Sequence, residues 1–282
     1  MGTIQARYDA SADRYRTWWE PVLAPTALAL LDEVEPGSAE DGARDRPRIL
    51  DVGTGTGLLA LAAVRRWPHA RIVGLDGSTG MLAVAAAEAD ARLTAAERGR
   101  LELVAGHAGR LPFDDASFDL VVSSFVLQLV PHRPTVLREA FRVLRPGGRL
   151  AFVTWLVGRA ERFGPDEAFE KALDELDLEG EGEAEEARSG DIASPAAAAA
   201  QLRRAGFRDV RARQVTLVHR FDPATYVDFL EHYGERDVFE GLDEPTRARL
   251  RERTAARLTR LPPGAFAWRA PVVFSLGRRP TR

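Results

Sequence analysis

Three glycines at positions 53, 55 and 57 follow Asp51 in the stretch ILDVGTGTG, and a second apolar run, RIVGLD, ends in another carboxylate, Asp76. Glycines in such a loop let the backbone approach a ligand closely and take conformations closed to other residues. A carboxylate about 20 residues on, at the end of the neighbouring strand, can accept both hydroxyls of an adenosine ribose. Together these residue types form a holder for an adenosine-bearing cofactor. By themselves they fit NAD, FAD or S-adenosylmethionine.

Two details of the spacing bear on that choice. The run G-x-G-x-G lacks the third glycine spaced for a pyrophosphate on a helix N-terminus, and Leu58 stands in its place. Asp51 lies within the loop motif, where it would repel a pyrophosphate but attract the ammonium group of a methionine. Both details favour S-adenosylmethionine.

A loop of this kind needs a parallel sheet to position it, and the chain from Arg48 to Trp155 has the pattern of one. RILDV, RIVGLD, LELVAG, FDLVVSSFVL and RLAFVTW read as strands. Between them, LLALAAVRRW is a helix ended by Pro68, STGMLAVAAAEADARL is a helix with Ser78 as its cap, and RPTVLREAFRVL is a helix stopped by RPGG. Continuous apolar strands alternating with helices mean a parallel sheet covered on both faces. Ligands then bind at the carboxyl ends of the strands, where the strand order reverses, and that is where the first strand delivers its glycines.

After Trp155 the alternation stops. Residues 174–191 carry nine acids and one arginine and read as a solvated loop or linker. SPAAAAAQLRRAGF is a helix with Ser194 as cap and Pro195 at its first position, VRARQVTLVHRF alternates as a strand, and APVVFSLGRR is a last strand. Between those two strands, Asp222 and Pro223 start one expected helix, with Tyr226, Phe229, Leu230 and Tyr233 on one face before Gly234. Asp243 and Pro245 start a second, Arg-rich one. This insertion reads as part of a cap over the site. Its aromatics, with Trp18, Trp19, Phe163, Phe239 and Trp268, could line an acceptor pocket or form the cap's own core.

Composition narrows the functional classes. The 282 residues are 45% hydrophobic and 29% charged, ordinary for a globular protein. No apolar run approaches the roughly 20 residues of a membrane helix. The first residues, MGTIQARYDASADRYRTWW, have no apolar segment, so no secretory leader is expected and a cytoplasmic location is the default. With no cysteine, a Cys nucleophile and thiolate metal sites are excluded, and no histidine or paired-carboxylate signature suggests a metal. A net charge of −3 without a basic stripe argues against a nucleic-acid partner, and nothing sets an oligomeric state.

ILDVGTGTG, GLDGSTGML, LPFDDASFDLVVSSFVLQLV and REAFRVLRPGGRLAFVTW occur in an order and spacing that resembles the class I S-adenosylmethionine-dependent methyltransferases. The likeness is greatest to the type 11 group, which includes quinone-biosynthesis C-methyltransferases, and is strong over residues 45–155. It implies a Rossmann-like seven-stranded, mostly parallel sheet of order 3-2-1-4-5-7-6, its last strand antiparallel, with helical cap insertions. It also implies S-adenosyl-L-methionine as cofactor, S-adenosyl-L-homocysteine as product and a small-molecule methyl acceptor.

Carried over by position, the resemblance places Gly53, Thr54, Gly55 and Gly57 around the methionine part of the cofactor, with Asp51 supporting the loop and the ammonium group. Asp76 would hold the ribose, Gly77 and Met81 would flank the adenine, and Ser123 and Ser124 would line the sulfonium end. Where relatives commonly have Asp-Ala at the adenine amino group, this chain has His107 and Ala108; where many have a histidine, it has Gln128, which cannot act as a base. Tyr15 is implied as a cofactor or substrate contact from an N-terminal helix.

The expected organisation is an N-terminal helical cap segment over 1–30, a cofactor-binding core over 45–157, an acidic insertion or lid over 158–193, a core helix and strand over 194–221, a helical cap insertion over 222–268 and a last strand and tail over 269–282. No catalytic base is assigned. His132, His219, His232, Tyr226 and Glu231 are the candidates outside the cofactor loop. Two alternatives to methyl transfer are a cofactor-binding protein without transfer activity and an NAD-dependent oxidoreductase; the only lysine, Lys171, has no tyrosine partner for a hydride site.

Overall fold

The apolar runs become the strands of one sheet. In the computed structural model, which describes residues 2–36, 46–158, 162–178 and 189–281, β1 (Arg48–Val52), β2 (Arg71–Asp76), β3 (Leu101–Ala105) and β4 (Phe118–Ser124) pair in parallel. Ile49 of β1 lies opposite Ile72 on one side and Leu120 on the other, so the central strand is buried on both faces and along both edges. β5 (Leu144–Trp155) continues the parallel order, and β7 (Ala267–Arg278) runs antiparallel between β5 and β6 (Arg208–Arg220). The order is β3-β2-β1-β4-β5-β7-β6, the order the resemblance implies.

Helices cover both faces. α1 (Gly2–Arg14) and α2 (Glu20–Asp32) are joined by a π-helical turn, Tyr15–Trp19. α2 and α3 (Leu58–Arg66) bury Leu23, Leu30, Leu59 and Val64 against Ile49 and Leu120. α4 (Thr79–Arg92) is followed by a single turn, α5 (Ala95–Arg98). On the opposite face, α6 (Arg133–Val143) and α8 (Pro195–Arg204) bury Leu137, Ala198 and Leu202 against Leu50, Val121 and Phe152. The expected caps are in place: the hydroxyls of Ser78 and Ser194 accept from the amides of Met81 and Ala197, both at 3.1 Å.

A third core lies outside the sheet. α7 (Gly164–Glu175), α9 (Tyr226–Phe229), α10 (Arg236–Glu240) and α11 (Glu244–Leu258) enclose Phe163, Phe169, Tyr226, Phe239 and Leu250. Between α9 and α10 the chain makes a second π-helical turn, Leu230–Gly234.

The structure departs from the sequence reading at three places. RPGG does not separate helix from strand: β5 begins at Leu144 directly after α6, and RPGG forms a bulge between the pairs Phe118–Leu144 and Leu120–Arg149. The helix expected from Asp222 starts only at Tyr226, because Asp222 closes a turn of its own, its carboxylate accepting from the amide of Ala224 at 2.9 Å. The acidic run begins inside α7, at Asp174 and Glu175, and its residues 179–188 lie outside the described residues.

Candidate active site

A cavity of about 630 Å³ opens along the carboxyl ends of β3, β2, β1 and β4. The glycine loop forms its floor. The amides of Gly53 and Thr54 both donate to the carbonyl of Leu75, at 2.7 and 2.9 Å, which ties the end of β1 to β2. Gly53 has φ +71°, and a Cβ there would collide with the side chain of Val126 above it, so only glycine keeps this turn open.

Asp76 stands at the centre of the cavity wall. One carboxylate oxygen accepts from the amide of Gly55 at 2.8 Å and the other from Ser78 at 2.9 Å. Burial nevertheless raises its carboxyl above the usual carboxylate range, against the pull of those amides. Asp51 lies behind the loop, 1% exposed, and accepts from the Thr54 hydroxyl at 2.7 Å. Burial, which outweighs that bond, pushes it up to about 7.

Of the residues singled out from the sequence, the cavity brings together Tyr15, Gly53, Gly55, Asp76, Gly77, Met81, His107, Ala108 and Ser124. Four others stand outside its lining. Asp51 and Thr54 are occupied with each other. Gly57 caps α3, where a Cβ would meet Leu61 and Ala85. Ser123 points the other way from Ser124 along β4 and donates to the carbonyl of Val52 at 2.7 Å. These four shape the loop from behind.

The N-terminal segment supplies further residues of the wall. Ile4, Gln5 and Tyr8 of α1 line the cavity, and the Gln5 amide donates to the carbonyl of Gly77. Asp9 accepts from the Ser78 hydroxyl at 2.6 Å and the Gly80 amide at 2.9 Å, contacts that lower its carboxyl below the usual range. Gly80 admits this approach: a Cβ would lie 2.7 Å from the backbone oxygen of Asp9. Glu20 accepts from the hydroxyl of Thr56, inside the glycine loop.

Past β4 the wall is made by Phe125, Val126, Leu129 and Pro131. Phe125 has φ +55°, a conformation rare for a bulky residue, and such backbone outliers gather at functional sites. No sequence signal marks it. Gln128 is buried beneath this loop, donating to the carbonyl of Phe125 at 2.7 Å and accepting from Thr154, so it braces the loop and does not face the cavity. Among the five candidate bases, His132 alone lines the cavity. Tyr226 donates to Asp166 at 2.6 Å inside the third core, Glu231 pairs with Arg251, His232 lies on Trp18 and His219 on Phe221. Tyr15 is partly buried, and desolvation raises its phenol well above the ordinary value, so the hydroxyl stays protonated. Among the described residues no group of three or more His, Asp or Glu is placed to hold a metal, and no helix is long and apolar enough to cross a membrane.

Comparison with known proteins converges on this region. Residues 50–152 match the family model Methyltransf_11, a methyltransferase domain. The ubiquinone/menaquinone biosynthesis C-methyltransferase of Dinoroseobacter shibae is 41% identical over 152 residues, 52% of this chain and 54% of that protein. The malonyl-[acyl-carrier protein] O-methyltransferase of Xylella fastidiosa is 38% identical over 149 residues, 51% of this chain and 46% of that one. The chain thus spans about half the length of these curated relatives. Among solved structures, a Haemonchus contortus phosphoethanolamine N-methyltransferase, solved with S-adenosylhomocysteine, superposes with a TM-score of 0.56 at 18% identity, covering 96% of this chain and 57% of that one. At that identity the likeness is one of fold.

Proposed function

We propose that this chain is a class I S-adenosylmethionine-dependent methyltransferase of the type 11 group and transfers a methyl group to a small-molecule acceptor. The observation that carries the reading is the cavity itself, which crosses four strand ends with Asp76 at its middle and the Gly53–Gly55 turn beneath.

The residues present fit S-adenosylmethionine. An ionised carboxylate has about four lone-pair positions. Asp76 spends one on each oxygen for the amides of Gly55 and Ser78, with the Gly77 amide also close, and keeps acceptor capacity towards the cavity for a ribose hydroxyl. The bare backbone at Gly53 leaves room for the methionine part, and Gly77, Met81, His107 and Ala108 form the adenine end. The bound cofactor would supply a methyl group already activated on a sulfonium. The protein's task is then orientation, which can contribute about 7–11 kcal/mol to barrier reduction when reactants are held in line.

Each group has a definable part in that task. Gln5 and Tyr8 close the adenine side, Tyr15 and Ser124 face the sulfonium end, and Asp51 braces the loop through Thr54. Of the five candidate bases His132 is the one on the cavity wall, placed to take the proton from an acceptor that must lose one. A net charge of −3 supports a small metabolite over a nucleic acid as the acceptor, and cytoplasmic action goes with this reading.

Calorimetric titration with S-adenosylmethionine and with NAD tests the cofactor. The expected result is binding of the first only, weakened at least about tenfold, or 1.4 kcal/mol, by Asp76→Ala. Unchanged affinity in that variant would sink the assignment. Transfer of labelled methyl to a panel of phenols, carboxylic acids and amines then separates an enzyme from a cofactor-binding protein.

A further inference from the structure

Tyr15 and Phe125 both line the cavity, and beside Phe125 the next strand ends along the sheet, those of β5 and β7, carry Trp155 and Trp268. The inference rests on reading the cavity as the S-adenosylmethionine site. With the ribose at Asp76 and the adenine towards His107, the methyl group points past Ser124. The strand ends of β5 and β7 are the side that this methyl group would face.

That side is shut by aromatic rings in unbroken contact. Phe125 lies 4.7 Å from Trp155, Trp155 5.9 Å from Trp268, and Trp268 5.8 Å from Trp19, centroid to centroid. Trp19 stacks on Tyr233 at 5.7 Å and 15°, and Tyr233 meets Tyr15 edge-on at 6.5 Å. The series leaves the cavity wall at Phe125 and returns to it at Tyr15. Its members other than Phe125 are only partly buried, unlike Phe239 and Tyr226 in the cap's own core.

The rings differ in what holds them. Trp155 and Trp268 belong to paired strands, and Phe125 is fixed by its amide, which donates to the carbonyl of Val153 at 2.8 Å. Trp19 leads into α2, whose Leu23 and Leu30 are locked in the sheet core. Tyr233 alone sits on an element outside that core, the π-helical turn Leu230–Gly234, which packs against the other π-helical turn, Tyr15–Trp19. A π turn carries one residue more per turn than an α-helix, and such turns recur at functional sites.

We infer that the paired π-helical turns are the acceptor's gate: Tyr233 swings away from Tyr15 and Trp19 to admit the acceptor, and its side chain limits the size of the group that can stand at the methyl position. Tyr233 is a positioning residue. Burial raises its phenol far above its ordinary value, so it takes up no proton from the acceptor.

The test needs no acceptor. S-adenosylmethionine and an analogue with benzyl in place of the transferable methyl are both sulfonium ions, so their affinity ratio reads only the room at that position. By calorimetry, wild type should bind the benzyl analogue at least about tenfold more weakly. Tyr233→Ala should narrow that gap by about tenfold while its affinity for S-adenosylmethionine stays within about threefold. Tyr233→Phe should keep the wild-type ratio. Should circular dichroism show the alanine variant unfolded, Tyr233→Leu, which retains apolar bulk, is read in its place. Equal binding of the two ligands by wild type, or a ratio unmoved by the smaller side chain, overturns the gate and leaves the cofactor reading intact. Failure of wild type to bind S-adenosylmethionine at all overturns the cofactor reading and the gate with it.

Discussion

The sheet core and the cap are both apolar inside, but they are held by different means. Around β1, position is set by backbone ladders on both edges and aliphatic side chains on both faces, so the glycine loop starts from a fixed strand end. In the third core, two helices of 12 and 15 residues, two single-turn helices and a π-helical turn meet through aromatic rings, such as Phe169 on Phe239 at 5.9 Å, and through polar contacts such as Tyr226 to Asp166 and Arg251 to Asp228. The first arrangement suits a constant ligand that must be met with the same geometry every cycle. The second, with few backbone bonds to break, suits a surface that parts and recloses.

The largest effect should come from breaking the cap alone. Phe239 is 1% exposed, and truncating such a phenylalanine costs about 3–5 kcal/mol. Phe239→Ala should melt the cap early in hydrogen exchange while S-adenosylmethionine affinity falls only a few-fold. A loss of cofactor binding in step with the cap would show that the two regions are one cooperative unit.

Next in size is a pH effect confined to the core. Asp51 is pushed up to about 7 in the folded protein from an ordinary value of 3.8, so the native state holds a proton that the unfolded state has already lost. Its contribution to stability is intact below the unfolded value and is lost as pH rises through about 7, at up to about 1.4 kcal/mol per unit. Asp51→Asn removes the ionisable group and keeps an acceptor for Thr54. In thermal melts of the cofactor-free protein, the variant should match wild type near pH 4 and exceed it near pH 8; parallel curves across that range would refute the assignment.

A third prediction returns to the loop. Gly53→Ala forces a side chain into a φ of +71° and against Val126, a strain on the order of 1–3 kcal/mol. Cofactor affinity should fall about tenfold to a hundredfold, with the cap's exchange unchanged. An effect on the cap as large as that on binding would erase the distinction between the regions.

The same distinction governs how much could be read from the sequence. β1, β2 and β4 were legible because strands buried on both faces are apolar throughout, and α4, α8 and α11 because Ser78, Ser194 and Asp243 are capping residues at their starts. Asp76 and the glycines stand out in the sequence as a strand-end carboxylate and a glycine loop, and the structure brings Gly53, Gly55 and Asp76 to one cavity. The π-helical turns carry no such mark: YRTWW would serve in an α-helix and LEHYG at the end of one, and the extra residue is settled by packing between distant segments. α7 was masked by the acidic run that overlaps its end, although Pro165 at its start is a helix signal. Phe125 and Asp9 owe their places to a left-handed backbone and to helix docking, neither of which has a local pattern.

The smallest effect concerns the N-terminal helix α1, which packs on α4. α1 reaches the cavity from outside the three cores, and its hold on α4 rests on the carboxylate of Asp9, which accepts from the Ser78 hydroxyl and the Gly80 amide. An anion at the start of a helix is favoured by the free amides there. Those contacts lower the Asp9 carboxyl, so the latch is fully formed above the ordinary carboxylate value and is lost as pH falls through the lowered one. Losing a cap-like contact of this kind costs about 1 kcal/mol. Asp9→Ala should therefore speed S-adenosylmethionine dissociation about fivefold in stopped-flow measurements and expose Arg7 and Arg14 to trypsin, while melting temperature hardly moves. Gly80→Ala should do the same from the other side of the contact, because its Cβ meets the Asp9 backbone. If dissociation is unchanged in both variants, α1 is a passive cover, and control over the cavity lies with the core loop and the cap.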